Sequence, residues 1–120
     1  MARYVDLYVL PVPKKSIPAY RRMSSKMGRI MRSMGATEYR EFLGEDLVSK
    51  MGMRSPLTLV KVRKGDVLVF AVVGFRSKSE RNRIQKGIMK DPRVKKMCEQ
   101  PMPFDMKRMV YGGFTTIVKA

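Results

Sequence analysis

Strand, helix, strand, strand, helix, strand is the element order this chain predicts. It assigns an α+β fold, the ferredoxin-like antiparallel sheet with both helices on one face. Three observations carry the assignment. Residues 3–10 alternate with period two, Val5, Leu7 and Val9 on one face against Tyr4, Asp6 and Tyr8 on the other. Residues 17–34 place Tyr20, Met23, Met27, Ile30, Met31 and Met34 on one stripe at helical spacing. Residues 67–73 are apolar at every position, the pattern of a strand covered on both faces. A length of 120 residues makes one domain, 1–120, long enough to bury roughly two-thirds of its unfolded surface.

Each element has its own punctuation. Pro11 and Pro13, which cannot donate to a ladder, are expected to stop the first strand. Ser16 before Ile17-Pro18 reads as an N-cap with proline in the first turn, and Gly35 as the C-cap of a helix reaching about Met34. Residues 36–43 read as a second strand, polar enough for a sheet edge. Residues 57–62 read as a short extended piece, and Lys64-Gly65-Asp66 as the turn that opens the apolar strand. Ser77 with Glu80 three residues on makes a capping box for a helix to about Lys90. Asp91-Pro92 restarts a short helical segment ending near Cys98, and residues 106–118 read as the last strand, interrupted by Gly112-Gly113. That glycine pair marks a bulge or a close backbone approach.

Bulk properties bound the function. Twenty-six Lys and Arg against ten Asp and Glu give a net charge of +16, which attracts polyanions. There is no histidine, so the usual general base near neutral pH and the commonest metal ligand are both missing, and a cysteine–histidine nucleophile is excluded. The single cysteine, Cys98, points to a reducing, cytoplasmic setting. No apolar run approaches the ~20 residues of a membrane span, and the first ten residues read as a strand rather than a signal peptide. The methionine stripe fits core packing better than a soft-metal site, so neither a metal nor a cofactor is expected.

The covering of the sheet predicts an assembly. With the helices over the Val5, Leu7 and Val9 face, the opposite face would carry Tyr4, Tyr8 and one parity of the 67–73 strand. In water that is a larger apolar patch than monomers show, and a second copy stacking sheet on sheet as an isologous homodimer removes it.

Several motifs point to a family. Met102-Pro103-Phe104-Asp105-Met106-Lys107-Arg108-Met109-Val110-Tyr111-Gly112-Gly113-Phe114 packs turn residues, charges and a glycine pair into one stretch. Tyr4-Val5-Asp6 leads to Pro11-Val12-Pro13-Lys14, Ala19-Tyr20-Arg21 and Gly35-Ala36 bracket the first helix, and Glu45-Asp46 follows Gly44. Val69-Phe70 precedes Ser77 and Arg81, and Met89-Lys90-Asp91-Pro92-Arg93 breaks the second helix. Together these resemble a family of small prokaryotic proteins of unknown function in the dimeric α/β-barrel (ferredoxin-like) superfamily. Relatives commonly carry a tryptophan and a histidine late in the first helix, where this chain has Met31 and Met34. The resemblance implies the fold and the dimer and supplies no reaction. Superfamily analogy alone suggests cofactor-free oxygenase-like or isomerase-like chemistry.

Two functional readings stand side by side. In the first, the chain is an uncharacterised dimeric α/β-barrel protein with a small-ligand cavity between the two sheets. Tyr4, Asp6, Tyr8 and Arg108 would line or guard it, Asp6 acting as acid, base or orienting group. The same Asp6 could instead form a structural ion pair with Arg108 across neighbouring strands. In the second, the chain is a noncatalytic nucleic-acid or polyanion-binding module, attracting nucleic acid nonspecifically at low salt through a basic helical face. Its candidates are Arg21, Arg22, Lys26, Arg29 and Arg32 on the first helix and Arg81, Lys86 and Lys90 on the second.

Overall fold

The computed structural model describes residues 2–120. Its strands are β1 (Tyr4–Pro13), β2 (Glu38–Leu43), β3 (Asp66–Phe75) and β4 (Val110–Thr115); its helices are α1 (Ile17–Ser33), α2 (Lys78–Lys90) and α3 (Pro92–Cys98). The strands form one antiparallel sheet in the order β2-β3-β1-β4, with β2 at the edge as its polar character implied. Ser77 caps α2 by accepting the Glu80 N–H at 3.1 Å. The reciprocal half of the capping box is not made, because the Glu80 carboxylate turns to Arg83.

Three local expectations are corrected. The prolines do not end β1; Pro11 pairs with Leu68 and Pro13 with Asp66. Lys14 N–H donates to Gly65 O at 2.8 Å, so even-numbered residues of β1 bond toward β3 and the prolines face the other edge. There β4 has already ended at the Val9–Val110 pair, and no ladder bond is lost. Residues 57–62 are not extended, since Ser55 accepts the Leu57 N–H and Pro56–Thr58 close into a 3-10 turn. The last strand begins late because Asp105 accepts the Lys107 N–H and holds Met106–Arg108 in another 3-10 turn.

The larger correction concerns the two faces of the sheet. The helices cover the Tyr4, Asp6, Tyr8, Leu10 and Val12 side of β1, not the Val5, Leu7 and Val9 side. Ile84 of α2 packs with Val73, Phe75, Met31 and Ala36, and Tyr20 of α1 packs with Leu10, Val12 and Val69. Burying a Leu, Ile or Phe in this layer contributes about 1.5–3 kcal/mol each. A carboxylate reads as outward-facing by itself, but α2 brings Arg81 and Gln85 to Asp6, and a buried charge is tolerated once it is paired.

The face away from the helices carries Val5, Leu7 and Val9, with the register placing Leu68, Phe70 and Val72 of β3, Phe42 of β2, and Val110 and Phe114 of β4 on the same side; Val9 and Leu68 are buried there. Phe42, Phe70, Val110 and Phe114 are 45%, 37%, 48% and 52% exposed. The arithmetic that predicted a greasy, unshielded sheet face therefore holds with opposite parity.

Candidate functional site

The layer between sheet and helices contains two polar clusters of different construction. The first surrounds Asp6, which is fully buried. Arg81 Nη1 donates to Asp6 Oδ1 at 2.9 Å and to the Tyr111 hydroxyl at 2.5 Å, and Nη2 reaches the Tyr4 hydroxyl at 3.3 Å. Gln85 Nε2 donates to Asp6 Oδ2 and to the Tyr111 hydroxyl, both at 3.0 Å. The guanidinium stacks over Tyr4, 5.0 Å from the ring centroid. Burial pushes the Asp6 carboxyl up from its ordinary value, against the pull of Arg81, Tyr111 and Gln85. Gly113, opposite Asp6 in the register, has a plain reason to be glycine: a Cβ there would overlap the Tyr4 hydroxyl. The β1–β4 register runs unbroken through both glycines, so they form no bulge. The close approach is that of Tyr4 to Gly113, while Gly112 faces the Phe114 ring.

Arg108 takes no part in this cluster. It pairs with Asp66 at 2.6 Å and Asp105 at 3.3 Å and donates to Lys61 O at 3.0 Å, stapling the start of β4 to the loop before β3. Although burial pushes Asp66 up, its bond from Arg108 holds it below the ordinary carboxylate value. Of the four residues expected around a cavity between two sheets, Tyr4, Asp6 and Tyr8 lie together beneath the helices, and Arg108 lies apart.

The second cluster borders open space. A cavity of about 370 Å³ lies between the sheet and the helices. Ala71, Val73, Leu10 and Tyr8 form its sheet side; Met23, Met27 and Met31 come from α1, Gln85, Ile88 and Met89 from α2, and Met97 and Cys98 from α3. Met102, Phe104 and Met109 complete it, and Tyr20, Ser24, Tyr39 and Glu41 make one polar wall. Period two sets Tyr39 and Glu41 on the same face of β2, opposite Val73 and Ala71. Both oxygens of Glu41 are engaged, Oε1 by the Tyr20 hydroxyl and Oε2 by the Tyr39 hydroxyl at 3.0 Å. Gly28 makes this possible, since a Cβ there would stand 2.6 Å from Cδ1 of Tyr39. Burial first, then Glu41, pushes both phenols far above their ordinary value, so they remain protonated donors. Such a carboxylate can anchor a ligand hydroxyl or accept its proton.

Sequence reasoning missed this wall. Glu41 and Tyr39 read only as polar residues of an edge strand, and Tyr20 as core. The available signal was that Tyr39 and Glu41 share one parity of a strand whose neighbour helix presents Tyr20.

The basic candidates do not form one sheet of charge. Arg21, Arg29 and Arg32 line a cleft beside β2, whereas Arg22 and Lys26 line another with Lys96. Lys86 and Lys90 are exposed on α2. Arg81 is withdrawn from solvent by Asp6, its side chain only 12% exposed. Among the described residues, no cluster of acidic, cysteine or histidine side chains could hold a metal, and no helix is long and apolar enough to cross a membrane.

A four-stranded antiparallel sheet in this order, with its helices on one face over a side-chain-lined cavity, defines a ferredoxin-like α+β protein. The chain belongs to the DUF1428 family of proteins of unknown function, whose model matches residues 3–106. It is 35% identical over 117 residues to the uncharacterised protein YbaA of Escherichia coli K12, covering 97% of each chain, and equally similar to YbaA of Shigella flexneri. Among solved structures it is similar to Rv0793 of Mycobacterium tuberculosis, with a TM-score of 0.59 at 12% identity over 98% of this chain and 97% of that one. It is also similar to a dimeric ferredoxin-like protein from an uncultured marine organism, with a TM-score of 0.59 at 8% identity over 100% and 92% of the two chains.

Proposed function

We propose that this protein is a homodimer, each subunit of which binds a small, largely apolar molecule in the cavity between its own sheet and helices. The observation that carries the binding reading is the cavity itself. Its volume falls in the range of small-molecule sites, its lining is mostly methionine, aliphatic and aromatic, and its few polar groups converge on one wall. Methionine side chains, flexible and polarisable, adapt to such a ligand. This moves the expected ligand from the space between two sheets to the space under the helices.

A fluorescence titration with Nile red tests the reading. Saturable binding to the wild type, lost in Ala71→Leu with an unchanged circular dichroism spectrum, is the expected result. A wild type that leaves the dye unbound would end it.

The homodimer rests on the sheet face away from the helices, where Phe42, Phe70, Val110 and Phe114 lie exposed together, and on the dimeric character of the marine neighbour. Sedimentation at micromolar concentration should give twice 13.8 kDa, falling to 13.8 kDa in Phe70→Asp. A wild type already at the lower mass would remove the dimer.

The +16 charge favours a second reading, weak attraction of nucleic acid at low salt, which a steep fall of affinity with added salt would support and salt-insensitive or absent binding would remove. A single exposed, free cysteine fits a cytoplasmic setting.

A further inference from the structure

The wall of Tyr20, Ser24, Tyr39 and Glu41 has two sides. On its inner side lies the methionine-rich cavity; on its outer side an open cleft of about 590 Å³ between α1 and the edge strand β2 is lined by the same four residues together with Arg21, Ser25, Gly28, Arg29 and Arg32. The outer cleft therefore holds three guanidinium groups against one carboxylate. That carboxylate is already occupied by two phenol hydroxyls. Arg32 spends Nη1 on the carbonyls of Ala36 and Thr37. Arg21 and Arg29 make no hydrogen bond or ion pair among the described residues and keep all five donors each.

We infer that the ligand is an amphipathic anion, its apolar tail in the inner cavity and its carboxylate-like head at Arg21 and Arg29 in the outer cleft. This rests on the cavity reading above and adds to it the chemical class of the ligand. A purely apolar ligand leaves the adjoining arginines unexplained, and a purely anionic one leaves the apolar space unfilled. The two compartments share Tyr20, Ser24, Tyr39 and Glu41 as a common border, and the proposed ligand crosses it. Forked guanidinium groups suit a carboxylate head by paired hydrogen bonds.

Three ligands of equal tail and different head decide the matter in competition against Nile red: decanoate, decanol and decyltrimethylammonium. The expected order places decanoate tightest. Its affinity should fall about fivefold in each of Arg21→Gln and Arg29→Gln, the range of a partly exposed ion pair, and weaken with added salt, while Nile red binding stays unchanged in both variants. Equal competition by decanoate and decanol, or no effect of either substitution, would overturn the anionic head and leave the apolar cavity standing. Preference for decyltrimethylammonium would overturn it as well and assign the head to Glu41. Failure of Nile red itself to bind the wild type would remove the cavity reading, and this inference with it.

Discussion

The two polar clusters under the helices hold the same kind of group, a carboxylate, in opposite ways. Asp6 is met by a guanidinium and a carboxamide at 2.9 and 3.0 Å and packed shut under α2. Glu41 is met by two neutral phenols and stands on the wall of an open cavity. A fully desolvated ion pair fixes position and leaves nothing free to react or bind. A carboxylate held by neutral donors beside empty space is bounded by groups that a ligand can reach. The difference teaches that the more conspicuous acid in the sequence is not the accessible one: Asp6 is enclosed, and Glu41 faces open space.

Breaking each cluster should separate them. The largest effect is expected for Asp6→Ala, which leaves Arg81 charged in the layer, beside the Tyr4 and Tyr111 hydroxyls, with no carboxylate partner. Urea unfolding should show a loss of about 3–5 kcal/mol. A loss below about 1 kcal/mol would mean that the pair is not closed to water. Gly113→Ala comes next. Its methyl group must displace the Tyr4 ring from Arg81, costing about 1–3 kcal/mol as overpacking does. Much of that should return in the double variant with Tyr4→Ala, and a double-mutant cycle showing no coupling would break the link between the two positions. Glu41→Gln should cost only about 1 kcal/mol, since neutral hydrogen bonds can replace the lost ones, while changing ligand affinity where Asp6→Asn does not.

The same contrast explains what the sequence could show. Periodicity made the strands, helices and their order legible, because period two in β1 and the methionine stripe of α1 are local properties. The number of apolar sheet faces was legible too, as residues 67–73 have no polar parity. Which face meets the helices was not. That choice depends on Arg81 and Gln85 lying one helical turn apart on α2 and reaching a strand some 75 residues earlier in the chain. Gly113 had the same character, its meaning supplied by Tyr4 across the sheet. The cavity wall needed three elements at once, Tyr20 from α1 and Tyr39 with Glu41 from β2, joined by tertiary packing alone. Arg108 was misassigned because its partner Asp66, legible as the residue that opens β3, is brought to it by tertiary packing alone, 42 residues away in the chain.

The smallest effect tests the frame of the open end rather than its wall. Asp91 caps α3, which presents Met97 and Cys98 to the cavity, by accepting the Arg93 N–H at 2.8 Å. The Arg93 side chain closes on the same carboxylate and holds it down to about 2, against an ordinary 3.8. A carboxylate depressed by folding contributes stability at pH values above its unfolded value, and that contribution is lost as pH falls through the folded one. The window is therefore pH 4 down to about 2. In Asp91→Asn the helix keeps a good N-cap, because asparagine accepts the same backbone bond, but the titration is gone. Thermal unfolding followed across that window should show a shallower acid limb in the variant, with a lower midpoint than the wild type at neutral pH and the two converging near pH 2. Equal slopes would mean that the Arg93 contact does not hold the carboxylate in solution, and that the mouth of the cavity is framed by backbone and apolar packing alone.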